Sequence, residues 1–164
     1  MDALLADLSE VLSHQVKLHE ELLAVLQDES VSIGQVAPSK LLLLQSAKQQ
    51  IAHKIAAIET RRIGIVHDIA GAWEIDSKEL TLSQIIARVS EEVASILEEC
   101  FTSLKRLVAE IRRLANKNGS LSMARLKSVE MSLRFVHDWQ KAQQTYSDAG
   151  TLQSTPEKIS RASI

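Results

Sequence analysis

Cysteine, proline, glycine and aromatic residues are all scarce in this chain, and each scarcity removes a class of structure. Cys100 stands alone, so no intrachain disulfide can form and no pair of thiolates is available for a zinc site. Only five of the 164 residues are aromatic (Trp73, Trp139, Tyr146, Phe101 and Phe135), although 45% are hydrophobic. Leucine, isoleucine, valine and alanine make up the difference, a palette that suits helix packing and not a β-sandwich. The two prolines and five glycines are isolated, which leaves no Gly-rich phosphate loop and few obligatory breaks. No apolar run approaches the ~20 residues that cross a bilayer, so no membrane insertion is expected. The opening "MDALLADLSEVL" lacks the basic stretch and small-residue cleavage site of a signal peptide, and a cytoplasmic location follows as the expectation. A net charge of −2 gives no general attraction to nucleic acid.

What is present is helical periodicity, with no strict alternation anywhere. Leu4, Leu8, Val11, Leu18, Leu22 and Val25 recur at steps of three, four or seven, which predicts a first helix over about 3–29. The stretch "DESVSIGQVAPS", with Gly34, Pro38 and several serines, reads as a connecting loop. A second helix carries Leu44, Ile51, Ile55, Ile58, Ile65 and Ile69 and ends near Gly71. Asp76, Ser77 or Thr81 can cap the next one. That third helix carries Leu82, Ile86, Val89, Val93, Ile96, Cys100, Leu104, Leu107, Ile111 and Leu114, with an extra four-residue step near Cys100 that reads as a stutter. Leu126, Val129, Leu133 and Val136 form a fourth line, with Phe135 and Trp139 beside it. The expected fold is therefore all-α: an elongated antiparallel bundle of three to four long helices over 1–148, with a mobile polar tail over 149–164.

One stretch resists this pattern. Asn116, Lys117, Asn118 and Gly119 interrupt it with poor helix formers, at a cost of about 2 kcal/mol relative to alanine. Asn118 and Gly119 suit a C-cap and Ser120 an N-cap, which predicts a turn and a reversal. The alternative is one helix from about 81 to 146, in which Ile111, Ala115, Gly119, Ser122 and Leu126 keep steps of three and four. The small residues would then mark close approach to a neighbour.

The residues offer little for catalysis. "HEELL" at His19 begins like a zinc-protease motif but has Leu23 where the second histidine belongs. His14, His53, His67 and His137 are scattered, and Cys100 holds a core position, so it reads as a buried small hydrophobe and not a nucleophile. No enzyme activity, metal or cofactor is expected. From Lys105 to Arg134 eight basic residues face two acidic ones, which leaves open a structural coiled-coil or nucleic-acid-associated adaptor working through 105–134. The low aromatic content and negative net charge argue against nucleic acid.

Several of these segments resemble the FlgN family of flagellar type III export chaperones. "LLAVLQDES", a loop and "SKLLLLQSAKQQIAHKIAAIETRR" look like that family's first hairpin, with Lys40 opening the second helix and Arg61 or Arg62 closing the matched stretch. "LANKNGSL", "TYSDAG" and "KISRASI" resemble the family's Leu-Asn-x-x-Asn-Gly, Tyr-x-x-x-Gly and polar tail, with Ala115 in place of the first Asn. The resemblance implies a chaperone that holds the hook-filament junction proteins FlgK and FlgL unassembled and delivers them to the cytoplasmic domain of the export gate. It also assigns gate docking to Tyr146, with Gly150 letting the chain turn; packing of the Tyr146 ring on the third helix is the alternative. Large apolar groups near the chain end place cargo capture on Leu133, Val136, Trp139 and Leu152, unless they merely close the bundle.

Overall fold

A computed structural model describes residues 1–147, with side chains described to Lys141. It contains α1 (Asp2–Gln35), α2 (Pro38–Ala72), the short α3 (Leu82–Ile86) and α4 (Glu91–Ser147), and no strand occurs among the described residues. The chain divides into two units, Met1–Leu121 and a second that begins at Ser122. The segment 149–164, read above as a mobile tail, lies outside the described residues.

The first unit is a three-helix bundle. α1 and α2 form an antiparallel hairpin: Gln15 Nε2 donates to Glu59 Oε2 at 2.7 Å, and nearer the turn Lys48 pairs with Glu29. The first part of α4 runs parallel to α1, since Cys100 Sγ lies 3.6 Å from Ser13 Oγ while Asn118 reaches the backbone of Leu26. Leu44, Ile51, Ile58 and Ile65, seven residues apart, form a buried row of α2 that Ile69 and Ala70 extend toward its end. Leu8, Val11, Ile69, Ile85 and Leu97 are fully buried at the end where α1 starts, and Leu80 and Ile85 close that end.

The hairpin turn is shorter than the serines and glycine imply. α1 continues through Gly34 to Gln35, so most of the expected loop is helix. Val36 takes the left-handed conformation at φ 54°, its N–H donates to Ile33 O, and the Ala37 N–H donates to Ser32 O at 3.1 Å. These are the two bonds of a Schellman cap, with a β-branched residue where glycine is preferred. Pro38 then starts α2 at a position where its missing N–H costs nothing.

The expected third helix is not continuous from Leu82. Thr81 caps α3 in a full capping box with Gln84, but α3 ends at Ile86, and α4 begins only after Ser90, whose carbonyl accepts from the Ala94 N–H at 2.9 Å. Trp73, with the Arg88 guanidinium 5.6 Å from its ring centre, packs within this connection.

α4 answers the question posed by Asn116 to Gly119. It passes through them without a break, so the turn and reversal do not occur. Its buried positions also correct the expected register. Ile96 is 44% exposed and Leu97 is 0% exposed, so the line runs Val93, Leu97, Cys100, Leu104, Leu107, Ile111, Leu114, Asn118. That is a strict alternation of four and three, and the stutter at Cys100 disappears. Asn118 is the next core position, and its amide is accommodated there by a hydrogen bond to the backbone of Leu26. Gly119 faces open space, with no atom within 4 Å of an added Cβ, so it does not mark close approach to a neighbour.

Candidate partner-binding surface

Two polar features fix the first unit. Asn118 is 3% exposed, and its Nδ2 donates to Leu26 O at 2.8 Å and to Glu29 Oε2 at 2.9 Å, while Glu29 is also paired with Lys48. One carboxylate thus ties α4, α1 and α2 together, and the buried Asn118 Oδ1 has no partner among the described residues. A buried polar group with such restricted options specifies register at the expense of stability. The second feature is Glu59, which accepts from Arg62 Nε at 2.8 Å and Nη2 at 2.6 Å as well as from Gln15. The Arg62 fork holds the Glu59 carboxyl below its usual range, against partial burial, which raises it; Gln15 reinforces the lowering. The guanidinium is raised in turn by its hydrogen bonds to Glu59. Arg62 therefore makes the close contact at the end of the "IETRR" stretch, whereas Arg61 lies 3.6 Å from Glu10.

The second unit has a different surface. Every residue from Gly119 to Lys141 is exposed. Among them Leu133 is 64%, Phe135 73%, Val136 47% and Trp139 55% exposed, and Met123, Leu126, Val129 and Met131 are at least half exposed. Isolated exposed apolar residues are ordinary, whereas larger contiguous sets are a feature of interaction surfaces. Leu126, Val129, Leu133 and Val136 keep steps of three and four and make one seam, and Trp139 adjoins its edge beyond Val136. Met131 and Phe135 point to the other side of the helix.

This seam does not extend the buried line of the first unit. Continued at the same alternation, that line would reach Leu121, Arg125, Ser128 and Ser132, which are mostly polar. The seam at Leu126 is reached instead by two successive four-residue steps from Asn118 through Ser122, a stutter that moves the apolar face around the helix.

Of the residues expected to capture cargo, Leu133, Val136 and Trp139 fall together on one exposed side of α4. Leu152 and Gly150 lie outside the described residues, and Tyr146 falls in the last turn of α4 with its side chain also outside them. The basic residues Lys105, Arg106, Arg112, Arg113, Lys117, Arg125, Lys127 and Arg134 are all exposed along α4. No group of three or more histidine, cysteine or acidic residues placed to hold a metal occurs among the described residues, and none of their helices is long and apolar enough to cross a membrane.

The family model described as FlgN protein matches residues 1–154, nearly the whole chain. The chain belongs to the FlgN family. FlgN is a family of flagellar export chaperones and not of enzymes, and a helical bundle with an uncovered apolar helix face is a form suited to that task. No curated protein and no solved structure matches the chain. Sequence reasoning missed the Asn118–Glu29–Lys48 link. Counted from Leu97 instead of Ile96, the alternation lands on Asn118 as a core position, but burial is what decides between those two starts.

Proposed function

We propose that this chain is a cytoplasmic chaperone for the hook-filament junction proteins FlgK and FlgL, and that it captures them on Leu133, Val136, Trp139 and Leu152. The observation that carries this reading is that every residue from 119 to 141 is exposed, together with the apolar seam they contain. A single helix of about 25 residues, exposed along its whole described length, gains little stability from its own backbone in water. A terminal segment of a junction protein, amphipathic and unfolded before assembly, would cover the seam and be kept from polymerising. Delivery requires release, so the interface is modest and the affinity moderate. Family membership favours this reading over the adaptor that would work through 105–134.

Docking on the cytoplasmic domain of the export gate falls to Tyr146, with Gly150 allowing the chain to turn. A tyrosine presents an amphipathic ring that enters a partner's pocket at small ordering cost.

The test is capture of purified junction proteins by the full chain and by a chain ending at Asp138. The shortened chain should lose binding while its thermal transition stays in place; unchanged affinity would remove the capture site from this end. Tyr146→Ala should keep cargo binding and melting temperature but lose gate binding. A joint fall of stability and both activities would mean that the ring packs within the protein.

A further inference from the structure

The outer side of α2 differs from the outer sides of its neighbours. Two residues before and two after each member of the buried row Leu44, Ile51, Ile58 and Ile65, a rotation of about 200°, stand the positions on the opposite side of the helix. From Leu42 to His67 every one of them is exposed, and none is Asp, Glu, Lys or Arg. The exposed charges of α2 are Lys40, Lys54, Arg61 and Asp68, which fall in one row at multiples of seven along one edge of this face. By contrast α1 exposes Asp7, Glu10, Lys17, Glu21 and Asp28, and α4 exposes Glu98, Lys105 and Arg112. Depletion of charge is the feature that separates the centre of an interface from ordinary surface. The two ends of the face are unlike. At one end Leu42 and Leu43 are 74% and 72% exposed; at the other Gly64 stands beside the exposed Ile63, with no atom within 4 Å of an added Cβ. A glycine inside a helix is destabilising relative to alanine, and no packing among the described residues calls for this one.

We propose that this face binds the same face of a second copy of the chain, with the two α2 helices antiparallel about a two-fold axis near His53. That arrangement sets Leu42 and Leu43 of each copy over the space left at Gly64 of the other, and it matches uncharged positions along the whole contact. The pattern selects a second copy because its bulky end complements its own bare end. A lipid surface fits poorly, since the polar Gln49, His53 and Thr60 occupy the middle of the face. The face is about 38 Å long and one helix wide, which supplies fewer than the ~20–30 residues a side of a stable complex, so the dimer is weak and concentration-dependent. The two-fold also brings the charged edge of one copy beside that of the other, with the two Lys54 side chains nearest the axis. Added salt should therefore tighten the contact. The proposal does not rest on the chaperone reading, whose cargo surface lies in the second unit.

Sedimentation of the full chain from about 1 µM to about 1 mM should show a monomer passing to a dimer, and the passage should come at lower concentration in about 0.5 M salt than in low salt. Ala56→Glu, which places a charge in the middle of the contact, should raise the dissociation constant about tenfold or more. Gly64→Leu, which fills the space at the bare end, should do the same while the dilute chain keeps or raises its melting temperature. Val108→Glu, at an exposed position of α4, should leave the dimer unchanged. Cysteine pairs test the geometry without disturbing the middle of the face. Under mild oxidation, chains carrying Leu42→Cys should cross-link to chains carrying Ile63→Cys faster than either cross-links to itself. A chain that stays monomeric at about 1 mM overturns the proposal. So does a dimer that salt loosens, one indifferent to both Ala56→Glu and Gly64→Leu, or faster linkage between like cysteines. Capture of FlgK or FlgL, or binding to phosphatidylcholine vesicles, that Ala56→Glu abolishes would also overturn it, because the face would then belong to that occupant.

Discussion

Two stretches of α4 are written in the same heptad pattern and meet opposite fates. From Val93 to Asn118 the apolar positions are covered by α1 and α2; from Leu126 to Val136 they are in water. Leucine supplies both, as Leu97 and Leu107 in the first and as Leu126 and Leu133 in the second. The difference teaches that periodicity announces a partner without saying whether the same chain encodes it. In the first stretch the complementary rows exist within the chain, Leu5 to Leu18 on α1 and Ile58 to Ile69 on α2. In the second, no such row occurs among the described residues, and the unmet seam is the basis for reading α4 as a cargo surface.

The most forceful way to break this comparison is to make one substitution in both stretches. Leu97→Ala removes a fully buried side chain and should destabilise the protein by about 2–5 kcal/mol. Leu133→Ala in the free chain should change stability by no more than about 0.5 kcal/mol while weakening junction-protein capture. Thermal or urea melts of both variants measure the contrast, and equal losses would mean that the second seam is covered as well.

Asn118 marks the boundary between the stretches. Asn118→Ala removes both donors from Leu26 O and Glu29 while also removing the unpartnered Oδ1, and should cost about 1–3 kcal/mol in a urea melt. A neutral result would show that the link to Glu29 and Lys48 contributes nothing net. Gly119, one residue on, should respond in the opposite direction. With open space at its Cβ position and helical backbone around it, Gly119→Ala should stabilise α4 by up to about 1 kcal/mol. Destabilisation there would revive the turn that the sequence pattern allows.

The smallest expected effect belongs to the first unit alone. The Glu59 carboxyl is held below its ordinary value of 4.5 by Arg62, so its contribution is present above that value and is lost as pH falls through the lowered one. Because the pair is partly exposed, the change should be under about 1 kcal/mol. Stability measured from about pH 5 to pH 3 should fall less steeply in Glu59→Gln than in the native chain. Identical slopes would show that the Arg62 fork is without effect on folding.

Much of the bundle was legible in the sequence. The α1 and α2 stripes, the Thr81 cap and the burial of Cys100 follow directly from spacing and side-chain type. Boundaries were less legible for particular reasons. Gly34 and the serines near it resemble a loop, yet Ser32 satisfies its hydroxyl on Asp28 O within α1, and the reversal falls to Val36. Ile96 and Leu97 are both apolar neighbours, so only burial tells which one belongs to the seam. Asn118 looks like a helix terminator until its partner on α1 is known, because propensity is a weaker constraint than a buried hydrogen bond. Exposure of Leu133, Val136 and Trp139 was legible only as one of two alternatives, since an apolar stripe reads the same whether covered or bare.

Hydrogen exchange with and without a junction protein tests the central claim most directly. In the free chain, amides from Leu126 to Gln140 should exchange far faster than those from Leu97 to Leu114, because an unpacked helix opens at little cost. On adding FlgK or FlgL, protection should rise across Leu126 to Gln140 and stay unchanged in the buried stretch. Equal protection of the two stretches in the free chain, or no gain over Leu126 to Gln140 on binding, would contradict the account.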